Sequence, residues 1–148
     1  MTELNDLAAI LKDSLNEGKT FTMPIKGISM EPFLKEGDQI CLTKPESLKK
    51  HDIIFYQRKT GQYVLHRIYQ CKEDYQTRNE YYVLVGDNQT SLESPIYPNQ
   101  VLAKAEYVIK KEKKKELKGV RYSLYLFFSH FLFLRKVANH LRRSLHGK

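Results

Sequence analysis

Six short runs rich in β-branched and aromatic residues are the feature that most restricts the fold of this chain. They lie between Thr20 and about Ile109 and read TFTMPI, DQICLTK, DIIFYQR, QYVLHRIYQCK, EYYVLVGD and VLAKAEYVIKK. Turn-prone pieces such as KEGD, RKTGQ and GDNQTSLESPIYPN separate them. Short strands broken by Gly, Pro, Asn and Asp at this spacing are typical of antiparallel sheets. We therefore predict a mainly β domain over residues 20–109, built as a closed or half-closed antiparallel barrel or sandwich.

The first 19 residues predict a single amphipathic helix that packs on this domain. Apolar side chains recur there at helical spacing, and Gly18 is a natural stop signal; they are Leu4, Leu7, Ile10, Leu11 and Leu15. Acidic residues come early and the apolar face is broken, so the segment does not have the pattern of a signal peptide or a transmembrane helix.

Residues 110–148 predict a basic linker, whose charged run KKEKKKELKG is either a solvated link or the end of a strand, followed by a C-terminal amphipathic helix. The run at 122–134, YSLYLFFSHFLFL, has no formal charge apart from His130. As a helix it would reach roughly 20 Å, short of the ~30 Å hydrocarbon core of a bilayer. Basic side chains accompany the apolar stripe as it continues towards residue 145. This combination favours a helix lying at an anionic membrane surface or on a partner protein; a helix docked on its own domain, or an anchor through 122–134, is the alternative.

Composition limits the function classes. The chain has 148 residues, 41% hydrophobic and 28% charged, with a net charge of +8. This indicates one domain rather than a membrane bundle, and a tendency towards anionic surroundings. Cys41 and Cys71 belong to no CxxC pair and have no neighbouring His pair, so neither a zinc site nor a disulfide framework is expected. We predict no metal and no cofactor.

Three short pieces could carry chemistry, and each has a plainer structural interpretation. Ser29, in KGISMEP, is either a turn residue or a nucleophile that needs a base nearby. His66 shares one face of a strand pattern with Val64 and Ile68, so it is either a core histidine or a general base. Asp87, in VLVGDNQTS, either closes a Gly-Asp-Asn turn or orients an imidazole.

Taken together and in order, these pieces resemble the signal peptidase I and LexA-type superfamily of serine peptidases. GISMEPFLKEGDQICL resembles its Ser-Met-x-Pro nucleophile box, and HDIIFYQ resembles a strand motif in which His51 stands where glycine is usual. VLHRIY falls where the family has its general base, and GDNQTSLES resembles its Gly-Asp-Asn box. The resemblance covers roughly residues 20–108 and implies the half-closed antiparallel β-barrel of that superfamily.

The resemblance also implies roles for individual residues. Ser29 would be the nucleophile, His66 the general base and Asp87 the orienting acid, in the Ser-His arrangement of the endoplasmic-reticulum, archaeal and sporulation-type signal peptidases. Oxyanion or substrate contacts would come from the nucleophile box, from Gly27, Met30 and Pro32, with the Ser29 backbone N–H as one oxyanion donor. Supporting roles would come from Asn88, in the Gly-Asp-Asn box, and from Glu93 after it. Glu93 is the nearest match to a second acid that the family has after Gly-Asp-Asn.

The function expected from these residues is a serine endopeptidase that removes a leader or signal segment from a peptide precursor. The chain is expected in the cytoplasm, with the C-terminal segment holding it at the inner face of the membrane. A catalytically inactive peptidase-fold adaptor is the first alternative. A LexA-like regulatory domain is the second, although the first 19 residues are too short for a helix-turn-helix. Nucleic acid is not an expected partner, because the basic residues are not interleaved with aromatic residues on a sheet, where bases could stack.

Overall fold

The computed structural model describes residues 3–146 and contains an eight-stranded sheet between two helices. The elements in chain order are α1 (Glu3–Asn16), β1 (Phe21–Pro24), β2 (Gln39–Thr43), β3 (Ile53–Gln57), β4 (Tyr63–Glu73), β5 (Glu80–Val85), β6 (Glu93–Ile96), β7 (Val101–Lys110), β8 (Lys113–Glu116) and α2 (Val120–His146). A short 3-10 turn, Pro98–Gln100, precedes β7. Residues 1, 2, 147 and 148, at the ends of the expected terminal segments, lie outside the described part, as do the side chains of Leu4 and His146.

All strand pairings in the sheet are antiparallel, and the sheet does not close on itself. The strand order is β1-β2-β7-β3-β4-β5-β6, with β8 paired to the end of β7. The predicted fold class, an antiparallel, mainly β domain with a helix at each end, is confirmed. The open sheet has β1 and β6 as its terminal strands, and β1 leads directly into the segment that carries Ser29.

Each of the six predicted strands is present, and two further strands were not expected. β6 reads ESPI, where a proline would ordinarily argue against a strand, but it pairs as a sheet edge. β8 reads KKKE, and all four of its residues are exposed. The segment predicted as a solvated link or strand end forms a hairpin with β7, because backbone pairing does not require an apolar face.

Alternation along the central strands divides the core between the two faces of the sheet. Ile53 and Phe55 of β3 face one cluster, which contains Leu11 and Leu15 of α1. Ile54 and Tyr56 face the other cluster, where Val64 and Ile68 of β4 also pack. The first helix is thus part of the core, as its leucine spacing predicted, although Ile10 is exposed and Ala8 is buried in its place.

His51, which stands where the resembled motif has glycine, adopts a backbone conformation that favours glycine. Its backbone has φ of +77°, in the left-handed region that glycine enters without a steric penalty and that a non-glycine residue adopts less readily. Its amide donates to Ile68 O at 2.8 Å, and its carbonyl accepts from Arg67 Nη1 at 3.0 Å. The resulting turn fixes the start of β3 against β4, the strand that carries His66.

The first part of α2 packs against the β domain. The Tyr69 ring of β4 stacks on His130 and tilts against Phe133, while Tyr122 and Tyr125 contact Phe33. From residue 134 to residue 145 only Val137 is even half-buried. Docking on the same domain, the alternative for this segment, accounts for one face of α2. Among the described helices, none has the combination of length and apolarity needed to cross a bilayer.

Candidate active site

Ser29 lies in a turn that follows β1 and is fastened to the turn after β5. Gly27 has φ of +79°, which lets the chain leave β1 sharply before the serine. The Ser29 carbonyl accepts from the Asn88 amide at 2.9 Å, and the Asn88 side chain donates to Ile28 O at 3.2 Å. The Gly-Asp-Asn turn therefore holds the backbone on which Ser29 sits.

Gly86 allows this close approach because it has no side chain. A Cβ placed on Gly86 would lie 2.6 Å from the Ser29 carbonyl oxygen, well inside van der Waals contact. The glycine of the Gly-Asp-Asn sequence is thus required by packing between the two turns.

Ser29 and His66 line the same cavity, which has a volume of about 510 Å³. One wall is the end of β1 and the residues after it, Met23 to Gly27. The opposite wall is Tyr63 to His66, at the start of β4. This stretch pairs with β3 on one side, but β4 pairs with β5 only from Arg67 onwards. The cleft therefore lies between two stretches of strand that each have an unpaired edge.

The His66 ring is almost completely buried, with 1% of the residue exposed. Its Nδ1 lies 3.2 Å from the Tyr56 hydroxyl and 3.6 Å from Glu93 Oε1. Burial lowers the pKa of His66 below its ordinary 6.5, and the opposing field of Glu93 does not overcome this effect. The imidazole is therefore neutral at pH 7.

Hydrogen bonding fixes which nitrogen of the neutral ring carries the proton. The Tyr56 hydroxyl has one proton and donates it to Glu93 Oε2 at 2.8 Å. His66 Nδ1 must then donate to the Tyr56 oxygen, which leaves the lone pair on Nε2. This is the tautomer that a general base needs in order to take a proton at Nε2.

Glu93 is kept ionised by its partners. Burial alone would raise its pKa, but hydrogen bonds from Arg58 and Tyr56 and the charge of Arg58 outweigh burial and lower the pKa. Arg58 holds both carboxylate oxygens, with Nε 2.9 Å from Oε2 and Nη2 in contact with Oε1. Burial, followed by the contact with Glu93, raises the pKa of Tyr56, so the phenol stays protonated.

Asp87 has a different set of partners from the one predicted. Its two oxygens each accept from Arg67, at 2.7 Å, and Oδ2 also accepts from the Tyr125 hydroxyl at 3.1 Å. Arg67 in turn donates to the Tyr122 hydroxyl at 2.7 Å. Both side chains of this ion pair are buried, so Asp87 links the Gly-Asp-Asn turn to α2. Its charge still acts on His66, raising the pKa of that residue less than Glu93 does.

The other predicted site residues in the nucleophile box differ in how far they are buried. Met30 is 3% exposed and packs in the core cluster that includes α1, while it also lines the cavity beside Ser29. Gly27 lines the same cavity, whereas Pro32 is exposed and is not part of its lining. Among the described residues, no cluster of three or more His, Cys, Asp or Glu side chains is suited to a metal ion.

Tyr56, Arg58 and Arg67 were missed by sequence reasoning. The available signal was strand pairing, since Ile54 lies directly opposite His66 and Tyr56 points to the same face two residues later. Arg58 follows at the strand end, two residues beyond Tyr56. The contact of both residues with Glu93 bridges more than 30 positions of sequence, which no local pattern reports.

Two comparisons with known proteins bear on this geometry. The sequence model of a family described as Peptidase S24-like matches residues 2–108, which include Ser29, His66, Asp87 and Glu93. Comparison with individual curated proteins gives no significant match.

Proposed function

The chain belongs to the Peptidase S24-like family, within the LexA and signal peptidase-like superfamily, and from this premise we propose that it is a serine endopeptidase. Ser29 is the proposed nucleophile and His66 the proposed general base. The observation that carries the proposal is the hydrogen-bond chain from His66 through Tyr56 to Glu93. That chain leaves a neutral base with its lone pair on Nε2, in the cavity that Ser29 also lines.

The proposed reaction is an acyl transfer in two steps. Ser29 Oγ attacks the peptide carbonyl carbon while His66 Nε2 takes the hydroxyl proton. Nε2 then gives that proton to the leaving amine as the C–N bond breaks, and an acyl ester remains on Ser29. Water attacks the ester carbonyl carbon while Nε2 takes a proton from it; Nε2 then gives that proton to Ser29 Oγ as the acyl C–O bond breaks, which releases the acid and the free serine. The backbone N–H of Ser29 and a donor near Gly27 remain the proposed oxyanion contacts.

Glu93 and Tyr56 are proposed as positioning residues in place of Asp87. They hold the imidazole orientation and tautomer, and the Glu93 carboxylate stabilises the imidazolium that forms during acylation. Asp87 is assigned instead to holding the turn that fastens Ser29, through its ion pair with Arg67. The two acids after β5 thus have separate tasks.

The cleft supports an extended peptide as substrate. The cavity lies between β1, a terminal strand of the sheet, and the stretch of β4 that precedes its pairing with β5. A peptide strand added there would gain backbone hydrogen bonds from either side. Removal of a leader segment from a peptide precursor, with small residues next to the cut, is the form of the reaction that we propose.

A peptide library provides the test. The purified full chain is incubated with a mixture of unstructured peptides, and new termini are identified by mass spectrometry. We expect cleavage at a restricted set of sites, lost in both Ser29→Ala and His66→Ala. Cleavage that persists in Ser29→Ala would contradict the proposal, and no cleavage of any peptide by the folded wild-type chain would favour a non-catalytic, peptide-binding role.

A further inference from the structure

The face of α2 turned away from the β domain is an exposed apolar stripe. At 100° per residue, the docked side chains Tyr122, Tyr125 and Phe133 fall on one side of the helix. The opposite side carries large apolar residues between 48% and 78% exposed. We call these the outer apolar stripe: Val120, Leu124, Phe127, Phe128, Phe131, Leu134, Leu141 and Leu145. A contiguous set of this kind on a small protein indicates an interaction surface.

The charge on α2 restricts what can cover this stripe. The helix contains Arg121, Arg135, Lys136, Arg142 and Arg143 and no acidic residue, and no Asp or Glu follows Glu116 in the sequence. The surface around the stripe is therefore basic, which favours an anionic partner.

An anionic lipid surface fits this arrangement better than a second copy of the chain. Pairing two outer apolar stripes would bring two helices of the same positive charge together, and like charges oppose such contact. A helix with bulky Phe and Leu side chains on one face and Arg and Lys beside them matches the pattern of helices that lie in the plane of a membrane interface. Over the first part of α2, the docked tyrosines occupy the opposite face of the helix, so within the described residues of that part the outer apolar stripe is the face left exposed.

We propose that the outer apolar stripe of α2 inserts into the interface of an anionic lipid bilayer, with the neighbouring basic side chains at the headgroups. The helix lies parallel to the surface and carries the β domain with it. This binding is separate from the proposed peptidase activity, since it uses neither Ser29 nor His66.

Co-sedimentation of the full chain with vesicles tests the proposal. Vesicles made from equal parts of phosphatidylcholine and phosphatidylglycerol are compared with vesicles of phosphatidylcholine alone. We expect at least about tenfold tighter binding to the anionic vesicles, and a decrease in this difference as salt is raised.

Paired variants separate the two components of the interaction. Phe127→Ser with Phe131→Ser should reduce binding to both vesicle types about tenfold or more, whereas Ile10→Ser with Tyr75→Ser, also at exposed sites, should not. Arg135→Gln, Lys136→Gln and Arg143→Gln together should remove most of the preference for anionic lipid. The matched control removes three exposed lysines elsewhere: Lys35→Gln, Lys59→Gln and Lys72→Gln.

Three results would overturn the proposal. One is failure of the folded wild-type chain to bind anionic vesicles. Another is an equal loss of binding in the α2 variants and their controls. The last is a dimer in analytical ultracentrifugation that Phe127→Ser with Phe131→Ser dissociates, in the absence of vesicle binding, because it would assign the stripe to a second copy. Circular dichroism of each variant ensures that only folded protein is compared.

Discussion

The assignment of Glu93 as the positioning acid depends on a few atoms around the His66 ring. Tyr56 stands between Nδ1 and Glu93, so the carboxylate acts mainly through the phenol rather than by direct contact. The field of Glu93 also raises the pKa of His66 against the effect of burial. Removing that charge must therefore change both the orientation of the base and its titration.

Glu93→Gln should lower the rate of Ser29 acylation on its pH plateau by about ten- to a hundredfold, because the imidazolium loses its stabilising carboxylate. The acid limb of the pH profile should move to lower pH, because His66 loses a negative neighbour that raises its pKa. Acylation by a serine-reactive probe, followed by intact mass against pH, measures both effects. Tyr56→Phe should reduce the plateau as well, and an unchanged plateau in both variants would contradict the assignment.

His66 should also make folding stability depend on pH. Because its folded pKa lies below the ordinary 6.5, the unfolded chain binds a proton more readily between the folded pKa and 6.5. Stability should thus be retained above about pH 6.5 and decrease as pH falls through that window. Urea denaturation at several pH values measures this decrease, which His66→Gln should make smaller; His51, whose pKa is also lowered by burial, retains its own share. An equal slope in wild type and His66→Gln would contradict the burial of a neutral imidazole.

At the scale of elements, α2 is held to the sheet by tyrosine hydroxyls that reach a buried ion pair. The Arg67 guanidinium lies 5.9 Å from the centres of both the Tyr122 and Tyr125 rings, and 5.3 Å from the centre of the Phe33 ring. Burial raises the pKa of both tyrosines, so both remain neutral partners. The helix therefore shields the Arg67–Asp87 pair from water.

Tyr125→Phe should reduce the free energy of unfolding by about 1.5–3 kcal/mol, because the buried carboxylate of Asp87 loses the hydrogen bond that the Tyr125 hydroxyl donates. Tyr122→Phe should have a similar effect through Arg67. Chemical denaturation measures the change, with Tyr75→Phe, at an 88% exposed position, as the control expected within about 0.5 kcal/mol of wild type. Equal stabilities of Tyr125→Phe and the control would show that the hydroxyl contact does not matter.

The elements were largely predictable, whereas their mutual contacts were not. β-branched and aromatic runs located six strands, and leucine spacing located α1, because both signals are local. β8 was missed because its four charged residues gain their order from backbone pairing with β7. Ser29 and His66 could be singled out by motif, but the partners of Asp87 and Glu93 depend on which arginine the folded sheet brings to each acid.

For the whole molecule, the turn at residues 86–88 joins three parts. It ends β5, it fastens the Ser29 turn through backbone contacts, and it reaches α2 through Asp87. A change in this turn should therefore affect the nucleophile and the docking of α2 together.

Gly86→Ala should reduce Ser29 acylation more than about tenfold, since its Cβ would collide with the Ser29 carbonyl oxygen and displace the nucleophile. Thermal stability should also decrease. Asn88→Ala is the matched variant in the same turn, because it removes one exposed side-chain hydrogen bond and keeps the backbone bond, so its loss should be much smaller. Equal activity of Gly86→Ala and wild type would contradict this role of the turn.

Activation of Ser29 by a neutral His66 can be measured as acylation of the serine hydroxyl. The purified chain is labelled with an activated, serine-reactive acylating probe between pH 5 and 9, and adducts are mapped by peptide mass spectrometry. We predict a single adduct on Ser29 whose rate rises to a plateau with a midpoint below pH 6.5, and which is absent in Ser29→Ala and His66→Ala. An adduct elsewhere, a rate independent of His66, or no adduct on folded protein would contradict this activation.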